Sequence, residues 1–317
     1  MSGLSEKIKD IARDLLNAKQ VEVVIGFKQG SLPMFSTPCF IRNETEIGQL
    51  VWDSFCSFNL AKFLVKTKGK VAIIAKGCDS RAIIELLKEQ QIKRDNLFIV
   101  GIPCQGMLDR KRIQNRYKDK EIRQVKEEDG KIVVEGDGFS DILSRDEFFC
   151  LSCEKCSHRN PVIYDVLVGE TLPENSTDLF AEVEQFEQMP AEERWQYITD
   201  EVSRCIRCYA CRNACPMCYC KECFVDNIQP QWIGKTNNMN DNLAFHLIRA
   251  FHLAGRCVEC GSCERACPMN IDIRKLNRKF TADVEKLFDY KVGLSIGEVA
   301  PLATYKPDDS EQFMIQL

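Results

Sequence analysis

The chain has 317 residues, of which 44% are hydrophobic and 28% charged, and its formal net charge at pH 7 is −4. This composition is typical of a soluble globular protein long enough for two domains, and it excludes a disordered chain. No apolar stretch reaches the roughly 18 residues of a membrane span, and the N-terminal residues lack the apolar segment of a signal peptide. We therefore expect a cytoplasmic protein without a membrane span, and its acidic charge argues against a nucleic-acid partner.

The first part of the chain is predicted to be α/β. Residues 4–19 place apolar side chains at helical spacing, and residues 21–26 have the apolar pattern of a strand. Residues 44–65 again show helical spacing, which predicts a second helix that packs on this part of the protein.

The clearest unit is a strand–helix–strand segment. Residues 70–75 and 97–101 have the continuous apolar pattern of buried strands. Residues 80–91 between them predict an amphipathic helix, with Asp79 or Ser80 as its N-cap. A crossover of this kind makes the two strands parallel.

Two cysteines follow these strands directly. Cys78 lies after the first strand and Cys104 after the second. Open α/β sheets bind ligands at the carboxyl ends of their parallel strands. We therefore expect Cys78 and Cys104 to face one crevice.

The remaining elements are a hairpin and several helices. Residues 121–135 predict a β-hairpin around the Asp129-Gly130 turn. Residues 170–200 are acidic and contain two prolines, which predicts a linker with a short helix. Residues 242–253 and 271–287 show the spacing of amphipathic helices, so the last part of the chain is expected to be mainly helical.

The chain contains 18 cysteines, which in a reduced compartment more often bind metal than form disulfides. The pattern Cys-x2-Cys-x2-Cys-x3-Cys-Pro occurs at residues 205–216 and again at residues 257–268. It is the ligand pattern of bacterial two-cluster ferredoxins, in which the fourth Cys of each run ligates the other cluster. We therefore predict two [4Fe–4S] clusters, one on Cys205, Cys208, Cys211 and Cys267 and one on Cys257, Cys260, Cys263 and Cys215. Structural zinc is the alternative, although zinc sites use two pairs of ligands.

A third cysteine group predicts a further cluster. Cys150, Cys153 and Cys156 repeat the same spacing, and a fourth ligand is required. Cys104 is the first choice because it lies at the ligand-binding edge of the sheet, and Cys78 is the second. A zinc site or a partly vacant metal site is the alternative.

The other cysteines carry weaker signals. Cys218, Cys220 and Cys223 are either part of a further metal site or buried thiols beside the second motif, since their spacing is unusual for a cubane cluster. Cys39 and Cys56 are expected to be core residues.

The fold expected from these patterns is an α/β N-terminal domain with a parallel strand–helix–strand core, followed by a mainly α-helical dicluster domain. We place the α/β domain at residues 1–170, the linker at 171–200, the dicluster domain at 201–290 and a C-terminal tail at 291–317. No nucleophile elbow, P-loop or G-x-G-x-x-G fingerprint is present. The sequence therefore shows no independent catalytic group.

The three histidines and one basic stripe are candidates for contacts, not for catalysis. His246 and His252 share a predicted helix but not a face, and we expect them to pack or hydrogen-bond. His158 follows the third cysteine group and is a candidate to contact its ligands. Arg274, Lys275, Arg278 and Lys279 form a stripe that is either solvated or contacts an acidic partner subunit.

Two resemblances follow from these motifs. Residues 200–285 resemble the dicluster ferredoxin modules of heterodisulfide reductase C subunits and of succinate dehydrogenase iron–sulfur subunits. Residues 68–170 resemble the C-terminal domain of the beta subunits of deazaflavin-coenzyme hydrogenases and formate dehydrogenases. The second resemblance depends on residues 101–105, on the cysteine group at 150–156 and on residues 164–169.

These resemblances imply cofactors and partners. In the beta-subunit family this domain holds an iron–sulfur cluster and FAD and reacts with a deazaflavin, which supports Cys150, Cys153, Cys156 and Cys104 as ligands. The first 65 residues do not obviously match that family's N-terminal domain. The combination implies an adaptor that links a hydrogenase, formate dehydrogenase or NADH dehydrogenase module to a heterodisulfide-reductase-like partner in anaerobes.

The leading hypothesis is an electron-transfer subunit with at least two [4Fe–4S] clusters and a third at the Cys150 group. The alternative is a flavoprotein in which FAD, on the crevice at residues 70–105, exchanges hydride with a deazaflavin or nicotinamide. A structural zinc protein is the third possibility.

Overall fold

A five-stranded sheet organises the first part of the chain. In this computed structural model, which describes residues 2–128, 130–175, 179–304 and 307, the strands are β1 (Val23–Gln29), β2 (Ser36–Ile41), β3 (Val71–Ala75), β4 (Leu97–Gly101), β5 (Ile122–Glu128), β6 (Lys131–Gly136), β7 (Phe139–Ser144) and β8 (Val166–Leu167). The helices are α1 (Ser2–Asn17), α2 (Gly77–Lys88), α3 (Arg110–Arg116), α4 (Leu151–Glu154), α5 (Ala181–Gln188), α6 (Ala191–Ser203), α7 (Ala210–Ala214), α8 (Met239–His252), α9 (Ser262–Arg265) and α10 (Ile273–Phe288).

The sheet order is β2-β1-β3-β4-β8, and β1, β3, β4 and β8 are parallel. This confirms the predicted parallel strand–helix–strand unit. Strand β2 was not predicted, and it pairs antiparallel with β1 at the sheet edge. β2 contains Pro38, and an edge position tolerates a proline because one side of the strand needs no hydrogen-bond donor.

Helix α2 begins earlier than predicted. Its N-cap is Lys76, so Asp79 and Ser80 lie inside its first turn. The carboxylate of Asp79 accepts a hydrogen bond from the backbone N–H of Lys76 at 2.9 Å. Asp79 thus accepts the hydrogen bond of a backbone N–H at the helix start although it lies inside the first turn. A polar residue at this place does not mark the N-cap itself.

The predicted helix at 44–65 is wrong. Two 3-10 helices, Glu44–Gln49 and Leu60–Lys66, are separated by an irregular segment. Short polar side chains in that segment bond to nearby groups: Asp53 accepts from the backbone N–H of Phe55 at 2.8 Å, and Asn59 accepts from that of Ala61 at 3.1 Å. Such local bonds compete with an α-helix.

The predicted hairpin is present as β5 and β6, and β7 adds a third antiparallel strand that was not predicted. Asp129 of the predicted turn lies outside the described residues. Its partner Gly130 has φ of +75°, the left-handed conformation that glycine adopts readily.

The later helices at 242–253 and 271–287 are confirmed as α8 and α10, and two helices, α5 and α6, lie in the segment predicted as a linker. The basic stripe on α10 is partly internal. Arg274 and Arg278 are buried and form ion pairs with Glu182 of α5 at 2.7 Å and 3.0 Å. The stripe therefore fastens α5 to α10 instead of being wholly solvated.

The two parts of the chain share one hydrophobic core. Tyr290 and Val292 pack in the same buried cluster as β3 and α2. Arg81 of α2 donates to the carbonyl oxygen of Val292 at 2.9 Å, and Glu85 accepts from the backbone N–H of Gly293 at 2.8 Å. Residues 290–293, at the end of the predicted dicluster domain and the start of the predicted tail, therefore pack on the α/β part. The domain boundaries themselves stay a prediction.

Within the described residues, no helix has the length and apolar character needed to cross a membrane.

Candidate metal centres

The two duplicated loops repeat in structure as well as in sequence. Arg207 and Tyr209 have φ of 56° and 58°, and the equivalent Glu259 and Gly261 have φ of 56° and 69°. A left-handed residue within such a loop turns successive backbone N–H groups toward a common centre. Because three of the four are not glycine, this costly conformation is a feature of the site that residue type alone does not predict.

The first cysteine group lies between α6 and α8. Burial raises the pKa of Cys205, and the neighbouring Cys267 and Cys208 raise it further. Burial also raises the pKa of Cys211 to about 12, with a contribution from Cys205. Cys263 of the second motif also raises the pKa of Cys211, so the first group lies against the second, and Cys267 of the second motif lies beside Cys205.

The second group is the reciprocal set. Burial raises the pKa of Cys257, and Cys263 and Cys215 add to the shift. Cys215 also lies close enough to Cys260 to raise its pKa. Cys215 thus lies beside the three cysteines of the second motif, and Cys267 lies beside Cys205 of the first, as crossed ligation requires.

His246, which was expected to pack or hydrogen-bond, and the backbone of Arg207 contact the thiol of Cys205. His246 Nε2 lies 3.3 Å from Cys205 Sγ, and the backbone N–H of Arg207 donates to the same sulfur at 3.4 Å. Burial lowers the pKa of His246 to about 4, so its ring is neutral near pH 7. Only its helical register beside the first motif could have indicated this contact.

The third group converges at the carboxyl edge of the sheet, as predicted. A cavity of about 30 Å³ is lined by four cysteines of this region and one of the second motif, which are Cys78, Cys104, Cys153, Cys156 and Cys260. Burial raises the pKa of Cys104 to about 12 and that of Cys156 to about 11. Both candidates for the fourth ligand, Cys104 and Cys78, therefore face the same space.

Cys150 is placed differently from its partners. It is buried and hydrogen-bonds to the Cys153 sulfur, which raises the pKa of Cys150 and lowers that of Cys153 to about 6. It is not among the residues that line the cavity. Five cysteines are thus available for the four positions of one cluster.

The second and third groups are in direct contact. Arg265, two residues after Cys263, donates to Ser152 Oγ at 2.9 Å and to the carbonyl oxygen of Cys260 at 2.8 Å. Ser152 lies between Cys150 and Cys153. One guanidinium therefore connects the two cysteine loops.

Gly261 permits this approach. A Cβ atom at this position would lie 2.2 Å from Ser152 Oγ, and its φ of +69° adds strain for any other residue. We expect Gly261→Ala to destabilise the protein by at least about 1 kcal/mol more than Gly138→Ala, since Gly138 has a similar φ of +76° but nothing within 4 Å of its Cβ position. Denaturation midpoints of the two variants test this, and equal losses would contradict it.

The three cysteines after the first motif do not share one environment. Cys218 hydrogen-bonds to Cys215, and this bond lowers the pKa of Cys218 to about 7. Cys220 is exposed, and Cys223 lies beside Arg212. Cys218 thus lies with the second group. A further metal site on Cys218, Cys220 and Cys223 stays a prediction, and these three side chains have different surroundings. Cys39 and Cys56 are buried core residues, as predicted.

No three His, Cys, Asp or Glu side chains among the described residues converge closely enough to hold a single metal ion. A cubane cluster separates its ligand sulfurs by its own width, so the cysteine groups need a wider spacing than a single-ion site provides.

Comparisons with known proteins identify two matching families. Residues 68–218 match the C-terminal domain of the coenzyme F420 hydrogenase/dehydrogenase beta subunit, and residues 201–271 match a 4Fe-4S dicluster domain. Both matches coincide with the resemblances that the cysteine motifs indicate.

Individual relatives extend the similarity along the chain. The F420-dependent formate dehydrogenase subunit beta of Methanocaldococcus jannaschii is 26% identical over 344 residues, covering 88% of this chain and 89% of that protein. The F420-dependent formate dehydrogenase 1 subunit beta of Methanococcus maripaludis is 24% identical over 347 residues, covering 88% of each. These alignments reach well beyond residues 68–170.

A solved structure of the F420-reducing [NiFe] hydrogenase complex from Methanosarcina barkeri contains a chain that superposes with a TM-score of 0.39 at 15% identity, over 50% of this chain and 63% of that one. This overlap is too partial to establish a common fold. The sequence matches show that this protein resembles the beta subunits of F420-dependent hydrogenases and dehydrogenases and carries a 4Fe-4S dicluster domain at residues 201–271.

Proposed function

We propose that this chain is an iron–sulfur electron-transfer subunit of a multi-subunit oxidoreductase. The observation that carries the proposal is the order of the three cysteine groups. The third group contacts the second through Arg265 and Ser152, and the second contacts the first through the exchanged Cys215 and Cys267. Three adjacent redox sites in a row have the arrangement of a relay.

The residues fit iron–sulfur clusters in their chemistry. Thiols make up all three groups, and thiolates are the preferred ligands of such clusters. Arg249 Nε is buried without a hydrogen-bond partner among the described atoms, beside cysteines of the first and second groups. A buried orphan donor at this place is explained by an anionic acceptor between the thiols. When bound, such clusters accept and release single electrons.

For the first two clusters we propose the ligands that the cysteine spacing predicts. Cys205, Cys208, Cys211 and Cys267 hold the first cluster, and Cys257, Cys260, Cys263 and Cys215 hold the second. For the third cluster we propose Cys104, Cys153 and Cys156 as three of the ligands. The fourth is either Cys150, as its spacing predicts, or Cys78, which lines the shared cavity where Cys150 does not.

A flavin is the second candidate cofactor, and we propose a different place for it from the one expected from the sequence. The crevice predicted at residues 70–105 is occupied by cysteines around a cavity of about 30 Å³, which has room for about one water molecule. A cleft of about 660 Å³ lies nearby, and Phe35, Phe58, Arg110 and Lys111 are among its lining residues. Ligand sites for flavin-sized molecules fall in this range of volume. FAD bound there would make the chain a flavoprotein that exchanges hydride with a deazaflavin or nicotinamide.

The partners proposed for the chain are other redox subunits. The relatives are beta subunits of F420-dependent formate dehydrogenases, which favours a formate dehydrogenase or hydrogenase module on one side. A heterodisulfide-reductase-like subunit is proposed on the other side, from the dicluster domain. We place the complex in the cytoplasm.

The composition of anaerobically purified protein tests these proposals. We expect eight to twelve irons per chain with matching acid-labile sulfide, or about four per cluster. Fewer than about eight irons in reconstituted protein would contradict the relay. Flavin released by acid in stoichiometric amount would favour the flavoprotein, and a colourless protein with stoichiometric zinc would favour a structural role.

A further inference from the structure

Both junctions between neighbouring cysteine groups contain an arginine that hydrogen-bonds to the carbonyl oxygen of a cysteine. Arg265 lines the cavity of the third group and hydrogen-bonds to the carbonyl oxygen of Cys260 at 2.8 Å. Arg249 is 3% exposed and hydrogen-bonds to the carbonyl oxygen of Cys211 at 3.3 Å. We propose that Arg265 and Arg249 are shared counter-cations that set the reduction potentials of the two clusters on either side of each junction. The inference deepens the proposed function, on which it rests.

The neighbours of Arg265 come from two groups. Its guanidinium is held by Ser57, Ser152 and Cys260, with the carbonyl oxygen of Ser57 at 2.6 Å. The surrounding thiols are Cys150, Cys153 and Cys78 on one side and Cys260 on the other. Three hydrogen bonds fix the cation at the boundary between the third and second groups.

The neighbours of Arg249 come from the other pair of groups. Cys211 belongs to the first group, and Cys215 and Cys263 belong to the second. No carboxylate is among the partners that the structure gives this side chain in the described part of the chain. Since a buried charge is retained only when it is compensated, the thiolates and clusters are its counter-ions.

The consequence follows from electrostatics. A fixed positive charge stabilises the reduced, more negative state of a cluster, and its effect falls off with distance. Removing Arg265 should lower the potentials of the third and second clusters, and removing Arg249 should lower those of the second and first. The far cluster in each case should change little.

The test uses full-length protein purified anaerobically, with variants Arg265→Gln, Arg265→Lys, Arg249→Gln and Arg249→Lys. Each cluster is followed by redox titration monitored by EPR, and its signal is assigned with variants that lack one ligand of that cluster. We expect each glutamine variant to shift the reduction equilibrium of its two adjacent clusters about tenfold, or 59 mV for one electron. The lysine variants should retain most of the wild-type potentials, because they keep the charge.

Several results would overturn the proposal. These are equal shifts at all three clusters, no shift, lysine variants that behave like the glutamine variants, or loss of iron from both glutamine variants, which would assign the arginines to folding alone. Iron and sulfide counts distinguish failure of the proposed function from failure of the counter-cation proposal. If wild-type protein holds no clusters, the proposed function fails, whereas normal counts with the wrong pattern of shifts refute only the counter-cations.

Discussion

Cys215→Ser is expected to abolish the cluster of the second motif and to spare that of the first. Cys215 belongs to the first motif by sequence, but its side chain lies beside Cys257, Cys260 and Cys263. Iron per chain should fall by about four. The EPR signal that disappears should be the same one that Cys260→Ser removes.

The reciprocal pair makes this test specific. Cys267→Ser should remove the signal that Cys208→Ser removes, since Cys267 lies beside Cys205 of the first group. Uncrossed ligation predicts the opposite pairing, in which Cys215→Ser matches Cys208→Ser. Cys220→Ser is the control, because Cys220 is exposed and outside both groups.

Cys218 requires a second version of the experiment. Its sulfur hydrogen-bonds to Cys215, which lowers the pKa of Cys218 to about 7, so Cys218 is a thiol close to the second group. It can replace Cys215 as a ligand if that residue is lost. The variant Cys215→Ser should therefore also be made together with Cys218→Ser, and recovery of the signal only when Cys218 is present would identify such a substitution.

Asp79→Ala is expected to lower the free energy of unfolding by about 3–5 kcal/mol. Asp79 is fully buried and its carboxylate lies 2.8 Å from Lys76 Nζ, which is 2% exposed. It also accepts from the backbone N–H of Leu60 and of Lys76. Burial alone lowers the pKa of Lys76, but Asp79 and Cys78 outweigh this and raise it above its ordinary value. Removing Asp79 leaves a buried cation without its partner at the edge that holds Cys78 and Cys104.

Chemical denaturation followed by circular dichroism measures this loss. Asp10→Ala is the matched control, because Asp10 forms an exposed pair with Arg13 at 2.7 Å on α1, and such pairs contribute at most about 1 kcal/mol. The double variant Lys76→Met with Asp79→Leu should recover only part of the loss, because it removes the unpaired cation but still leaves the backbone N–H groups of Leu60 and Lys76 without their acceptor. A loss below about 1 kcal/mol for Asp79→Ala would show that the pair is not needed.

The duplicated cysteine pattern by itself determined the dicluster domain and its location. Cysteine spacing is a local property, and eight residues at fixed intervals leave little freedom for another interpretation. The parallel unit around α2 was equally accessible, because strand length and apolar runs are also local. The predicted helix at 44–65 failed, since the side chains of Asp53 and Asn59 formed local hydrogen bonds that helical spacing does not reveal.

Tertiary structure alone decided how the cysteine groups meet. It placed Arg265 against Ser152, about a hundred residues earlier in the chain, and brought Cys78, Cys104 and Cys260 to one cavity. It also turned half of a basic stripe inward and gave His246 a sulfur to contact. The sequence by itself thus predicted which residues are suited to hold iron, because ligand chemistry resides in residue type and spacing. Their order in a row, and the charges between them, depend on contacts between distant segments that only the folded chain creates.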